Sequence, residues 1–191
     1  MEKTVYIIPG YRHLPTHQAY RQIAKMLKNQ GYLPVPVTIP WQQTTIAENT
    51  AYFLHELKKK RLGKKIGKQY LLGFSYGAMI AFITSTKVKT DGLILCSLSP
   101  YFEEDLQKEQ NPHYQDFVNL KCLSLAKRIK AQKIFMLYGG KEDKSLKNRV
   151  REAFGEILNR HKYLLPIARA EHNIGDKRYL NKIHEVIQQL N

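Results

Sequence analysis

The chemistry of this chain is concentrated in one short run, Gly73-Phe74-Ser75-Tyr76-Gly77. It grows out of the apolar, strand-like Gln69–Gly73 and leads into the helical run AMIAFITST. A serine in G-x-S-x-G, between a strand and a helix, sits on a tight turn that pushes its hydroxyl outward. The turn is crowded, so its flanking positions must be small. Gly73 and Gly77, followed by Ala78, meet that need. The helix N-terminus behind Ser75 favours negative charge beside the hydroxyl. A serine hydroxyl is still a weak nucleophile. It needs a base to take its proton and an acid to orient that base.

With these flanks, nearly the whole chain resembles the α/β-hydrolase superfamily, whose triad runs in the order Ser, Asp or Glu, His. The resemblance implies an acid in a turn such as G-x-x-D after a late strand. Here the strand KIFMLY leads into Gly139-Gly140-Lys141-Glu142-Asp143. Asp143 matches the acid position, and Glu142 stands beside it as a substitute. The histidine is expected in the loop before the final helix, where Ala168-Arg169-Ala170-Glu171-His172-Asn173 places His172. The resemblance also implies an oxyanion hole made of two backbone N–H groups. One belongs to Tyr76, after the serine. The other belongs to Tyr11, in the loop Ile8-Pro9-Gly10-Tyr11-Arg12-His13, where Pro9 stands in place of the family's common histidine. The chemistry so implied is hydrolysis of an acyl bond, a small carboxylic ester first, through an acyl-enzyme. It requires neither cofactor nor metal. A thioester or peptide substrate would use the same triad, and a non-catalytic member of the fold would bind a ligand without turnover.

Two further residues are substrate-binding candidates. Arg12, at the pocket rim, could pair with a carboxylate or phosphate, or simply be an exposed loop arginine. Trp41, after the second strand, could line the pocket or serve packing. His13 and His17 are spaced i, i+4, but Pro15 between them argues against a metal pair. Cys96 and Cys122 have neither zinc-site nor disulfide-framework spacing.

These residues need a scaffold, and the apolar pattern supplies one. Strand-like runs at Thr4–Ile8, Leu33–Ile39, Gln69–Gly73, Gly92–Ser97, Lys133–Tyr138 and Lys162–Pro166 alternate with amphipathic helical runs. Tyr20, Ile23, Ala24 and Leu27 form one helical face, which Gly31 closes. Pro34 and Pro36 assign the second strand to an edge. The alternation predicts an α/β fold: a three-layer sandwich with a mainly parallel sheet of about six strands and helices on both faces. The sequence starts directly at the strand that feeds the oxyanion loop, without the antiparallel strands of larger hydrolases, so the resemblance implies a compact, minimal domain expected to span 1–191. Residues 100–132 interrupt the alternation and read as a small lid or cap over the carboxyl end of the sheet.

Composition bounds the rest. A chain of 191 residues with 43% hydrophobic content buries a core without staples. Lys plus Arg number 31 against 16 Asp plus Glu, a net charge of +15. The densest cluster runs from Lys58 to Lys68, between a helix and the nucleophile strand. That loop falls at the amino end of the sheet, opposite the expected site. An anionic surface is a conceivable partner for it, but no nucleic-acid-binding signature accompanies it, and a solvated face is the simpler reading. No apolar run reaches membrane-span length and no secretory leader opens the chain, so the expected compartment is the cytoplasm. Oligomeric state leaves no trace in the sequence.

Overall fold

The computed structural model describes residues 1–41, 45–61, 67–98 and 122–190. Six strands form one sheet: β1 (Lys3–Ile8), β2 (Leu33–Pro36), β3 (Lys68–Phe74), β4 (Thr90–Cys96), β5 (Ala131–Gly139) and β6 (Lys162–Ile167). Their spatial order is β2-β1-β3-β4-β5-β6, and every neighbouring pair is parallel. The helices are α1 (Gln18–Asn29), α2 (Ile46–Arg61), α3 (Tyr76–Lys87), α4 (Cys122–Ala126), α5 (Lys144–Glu156) and α6 (Lys177–Gln188).

Side-chain alternation divides the core in two. Tyr6, Ile8, Leu71, Leu93, Leu95, Ile134 and Met136 face α2, α3, α4 and α5. Val5, Ile7, Leu72, Ile94, Phe135 and Leu137 face α1 and α6. Period 2 in each strand thus gives both faces of the sheet an apolar cover. The most enclosed helix is α3, buried continuously from Tyr76 to Thr86. A helix apolar all round belongs between neighbours, and α3 lies between β3, β4 and α2.

Local signals fix several boundaries. Gly31 takes φ 77 where α1 ends, and Tyr32 N–H donates back to Leu27 O at 3.0 Å. A capping box opens α2: Thr45 N–H donates to Glu48 Oε2 at 2.8 Å, and Glu48 N–H donates to Thr45 Oγ1 at 3.2 Å. β2 lies at the sheet edge, as its prolines require, and ends at Pro36 rather than Ile39. Two prolines in four residues leave few N–H groups for a ladder. Val37 N–H still donates to Ile7 O, and Val37 and Ile39 remain buried.

The order of strands also locates the site. From β1 the chain moves outward to β2, then returns to β3 on the other side of β1. Ligands of open parallel sheets bind beyond the carboxyl ends of the strands at such a reversal. The loops after β1 and β3 carry Tyr11 and Ser75. Of the expected lid over 100–132, residues 100–121 lie outside the described residues. The rest comprises the short α4, a turn and the start of β5.

Candidate active site

Ser75 links β3 to α3 with φ 53 and ψ −119. A non-glycine residue held at positive φ carries strain of order 1–3 kcal/mol, which the surroundings must enforce. They do so by close packing of backbone. A Cβ on Gly73 would lie 2.3 Å from Gly77 O, and one on Gly77 would lie 2.3 Å from both Ile8 O and Pro9 O. Both flanking positions must therefore be glycine. Ser75 N–H donates to Cys96 O at 2.8 Å, which fixes the elbow to the end of β4.

The Ser75 hydroxyl lies 3.0 Å from Nε2 of His172. The imidazole is reachable from solvent, its side chain 39% exposed, and it packs against the Phe74 ring at a centroid distance of 5.0 Å. On its other side, Nδ1 lies 3.2 Å from Oε1 of Glu142, whose side chain is 0% exposed. The serine, imidazole and carboxylate thus form one continuous line.

The carboxylate beside the imidazole belongs to Glu142, not to Asp143 as the sequence pattern suggests. Asp143 is the exposed N-cap residue of α5, and its carbonyl accepts Lys147 N–H at 3.0 Å. Chain geometry sets the difference. Gly139 ends β5 so close to the histidine loop that a Cβ there would lie 2.5 Å from Ala170 O. Gly140 N–H then donates to Ile167 O at 2.8 Å and Lys141 N–H to Ala170 O at 2.9 Å. These bonds stitch the acid turn to the loop bearing His172 and turn residue 142 inward. The G-x-x-acid count starts at Gly139, not Gly140. A buried carboxylate is costly unless hydrogen-bonded. Here Oε1 also accepts a hydrogen bond from the Ser97 hydroxyl.

Tyr11 and Tyr76 lie side by side, with ring centroids 5.9 Å apart. Tyr76 is the first residue of α3. Tyr11 lies in a turn closed by His13 N–H donating to Gly10 O at 2.9 Å, with Arg12 at φ 57. Gly10 brings this turn against Phe74, whose ring would stand 3.0 Å from an added Cβ. Gly10 N–H donates to Tyr20 OH at 2.9 Å, and the same hydroxyl lies 2.8 Å from Nδ1 of His13. Burial raises the Tyr20 pKa.

Trp41 packs against the core cluster. Its indole N–H donates to His13 O at 3.3 Å, and its ring meets those of Tyr11 and Tyr76 edge-on at 5.7 and 5.4 Å. Arg12 is exposed, with its guanidinium 5.0 Å from the Tyr11 ring centroid. Neither lines the open cleft of about 450 Å³ beside Ser75, which is bounded by Lys141, Glu142, Asp143, Leu146, Glu171 and His172. The basic run from Lys58 joins the end of α2 to the amino end of β3, away from Ser75, and its residues 62–66 lie outside the described residues. Among the described residues, no cluster of His, Cys, Asp and Glu is arranged to hold a metal, and no helix is long and apolar enough to cross a membrane.

Sequence reasoning did not single out Ser97 or Tyr179, which back Glu142. Tyr179 is a buried aromatic in the first turn of the last helix, and Ser97 directly follows the apolar β4. A hydroxyl at the carboxyl end of a buried strand was the available signal.

No protein-family model and no curated protein matches the sequence. Solved structures do match. Est1E from Butyrivibrio proteoclasticus superposes with a TM-score of 0.85 at 11% identity, over 98% of this chain and 86% of its own. The esterase Pf2001 of Pyrococcus furiosus gives 0.78 at 18% identity, over 99% and 82%. A monoacylglycerol lipase from Paleococcus ferrophilus gives 0.74 at 16% identity, over 98% and 93%. The chain has the α/β-hydrolase fold.

Proposed function

We propose that this chain is a serine hydrolase that cleaves an acyl bond, with Ser75, His172 and Glu142 as its triad. One observation carries the reading: Ser75 Oγ, the His172 imidazole and Glu142 Oε1 are in line, at 3.0 and 3.2 Å. Ser75 Oγ attacks the carbonyl carbon while its proton passes to Nε2 of His172. Glu142 accepts the Nδ1–H, which fixes the tautomer, and stabilises the imidazolium that forms. The carbonyl oxygen becomes an oxyanion, and the backbone N–H groups of Tyr76 and Tyr11 donate to it. The tetrahedral species collapses, and His172 returns the proton to the leaving group. Water, deprotonated by His172, then attacks the acyl-enzyme. A second collapse frees the acid and restores Ser75.

A small carboxylic ester is the proposed substrate. Backbone donors and a cleft open to solvent suit a compact acyl group, and the names of structural neighbours include esterases. The test is hydrolysis of p-nitrophenyl esters from acetate to decanoate, beside a thioester and a peptide p-nitroanilide, by wild type and Ser75→Ala. The expected result is turnover of short esters, lost in Ser75→Ala by a factor on the order of 10⁴ or more. A folded wild type that cleaves none of the substrates overturns the proposal. Preference for the thioester or the anilide moves the bond class and leaves the triad standing.

A further inference from the structure

Behind the contact between Glu142 and His172 runs a buried polar chain that the triad itself does not use. Ser97 follows β4 with φ 49 and is fully buried. Its N–H donates to Leu137 O at 2.7 Å, anchoring it to β5. Its Oγ meets Oε1 of Glu142, the same oxygen that faces Nδ1 of His172. On the far side, Tyr179 OH of α6 lies 2.7 Å from Ser97 Oγ and 3.2 Å from Leu137 O. Burial first, then the neighbouring Cys96 and Glu142, pushes the Tyr179 pKa well above its ordinary 10. The phenol therefore keeps its proton.

Counting protons gives this chain a direction. A carboxylate oxygen only accepts, so the Ser97 hydroxyl donates to Glu142. Ser97 Oγ is then left as an acceptor, and Tyr179 donates to it, with Leu137 O as the more distant sharer of that proton. Glu142 Oε2 is buried and accepts nothing among the described residues. One oxygen thus carries all the orientation of the carboxylate. Glutamate has one more rotatable bond than aspartate, so it needs a stronger anchor to hold one conformation.

We infer that Ser97 and Tyr179 are positioning residues, a two-hydroxyl relay that holds Oε1 of Glu142 against Nδ1 of His172. The inference rests on the hydrolase reading for its effect on turnover, but the relay itself has a readout that needs no turnover. That readout is the low-field proton resonance of His172 Nδ1–H hydrogen-bonded to Glu142.

The informative variant is Ser97→Gly. Glycine accepts φ 49 without strain, so this change removes the hydroxyl and leaves the backbone content. Ser97→Ala removes the same hydroxyl but keeps a Cβ, and Tyr179→Phe deletes the second hydroxyl alone. The expected outcome for Ser97→Gly is a kcat lower by about 10- to 100-fold, the size of a lost hydrogen bond to a charged group, with KM unchanged. The low-field resonance broadens or disappears, and Tyr179→Phe changes both readouts in the same direction by less. Ser97→Gly with wild-type kcat and an intact resonance overturns the inference. So does loss of activity in Ser97→Ala alone, which would trace the effect to backbone strain, or a wild type without the resonance. A wild type that shows the resonance but hydrolyses nothing refutes the hydrolase reading alone. The relay is then judged on whether Ser97→Gly removes that signal.

Discussion

Glu142 Oε1 stands 3.2 Å from Nδ1 of His172 in a side chain fully withdrawn from solvent, while the adjacent Asp143 is exposed at a helix start. Burial separates two adjacent carboxylates, and it puts Glu142, not the Asp143 that the sequence pattern indicates, beside the imidazole. Glu142→Gln puts an amide where only an acceptor fits, and favours the wrong imidazole tautomer. The expected loss in kcat is on the order of 10⁴, by analogy with the same change in a serine protease triad. Asp143→Asn is expected to stay within a few-fold of wild type. Steady-state kinetics on the best p-nitrophenyl ester decides between them, and the opposite ranking would return the acid role to Asp143.

The elbow tolerates no side chain on either flank. With 2.3 Å separating an added Cβ from backbone oxygen at both Gly73 and Gly77, no rotamer relieves the clash. Gly73→Ala and Gly77→Ala are each expected to destabilise by about 3 kcal/mol or more, the upper range of overpacking. Gly155, an exposed helix position with nothing within 4 Å of an added Cβ, is the control. Gly155→Ala is expected to be neutral or stabilising by up to about 1 kcal/mol. Urea unfolding of the three variants measures this, and equal midpoints would contradict the packing account.

Acid stability carries a signature from His13. Burial lowers its pKa below the ordinary 6.5, and the nearby His17 and His172 act in the same direction. Between the lowered folded value and 6.5, the unfolded chain binds a proton that the folded chain refuses. Stability therefore falls as pH drops below 6.5, and this contribution levels off below the folded value. His13→Gln is expected to flatten that part of a plot of urea midpoint against pH. An unchanged slope would remove His13 from the acid response.

Alkaline stability has the opposite sign. Burial raises the pKa of Tyr20 and Tyr179, and that of Tyr70 to about 12. The unfolded chain releases these protons near 10, whereas the folded chain keeps them, so stability declines as pH rises past 10. Native-state spectrophotometric titration is expected to show these phenols ionising only after, or together with, unfolding.

Much of this architecture is legible in the sequence because burial in a parallel sheet leaves few alternatives. Leu71, Leu72, Ile94 and Met136 lie in apolar runs too short for helices, and the amphipathic stretches between them dictate crossovers. The elbow is legible because backbone crowding admits only glycine at 73 and 77. His172 is legible from its place before α6. Which carboxylate meets the imidazole is not, because Gly139-Gly140 offers two starting points for one spacing. Only the approach of Gly139 to Ala170 O, a contact distant in sequence, selects between them. The relay of Ser97 and Tyr179 is hidden for the same reason: it joins residues 82 positions apart. Trp41 could line the pocket or pack, and its ring meets those of Tyr11 and Tyr76 edge-on, a contact between residues distant in sequence.

The most direct measurement is covalent labelling of Ser75. Wild type, Ser75→Ala and His172→Ala are incubated with a fluorophosphonate and read by intact mass and peptide mapping. Thiols should not confuse the result, since burial raises the pKa of Cys96, and that of Cys122 to about 12. The account predicts one adduct on Ser75 in wild type, none in Ser75→Ala, and labelling slowed by on the order of 10³-fold or more in His172→Ala. A folded wild type that takes up no label, or takes it up on another residue, contradicts the account.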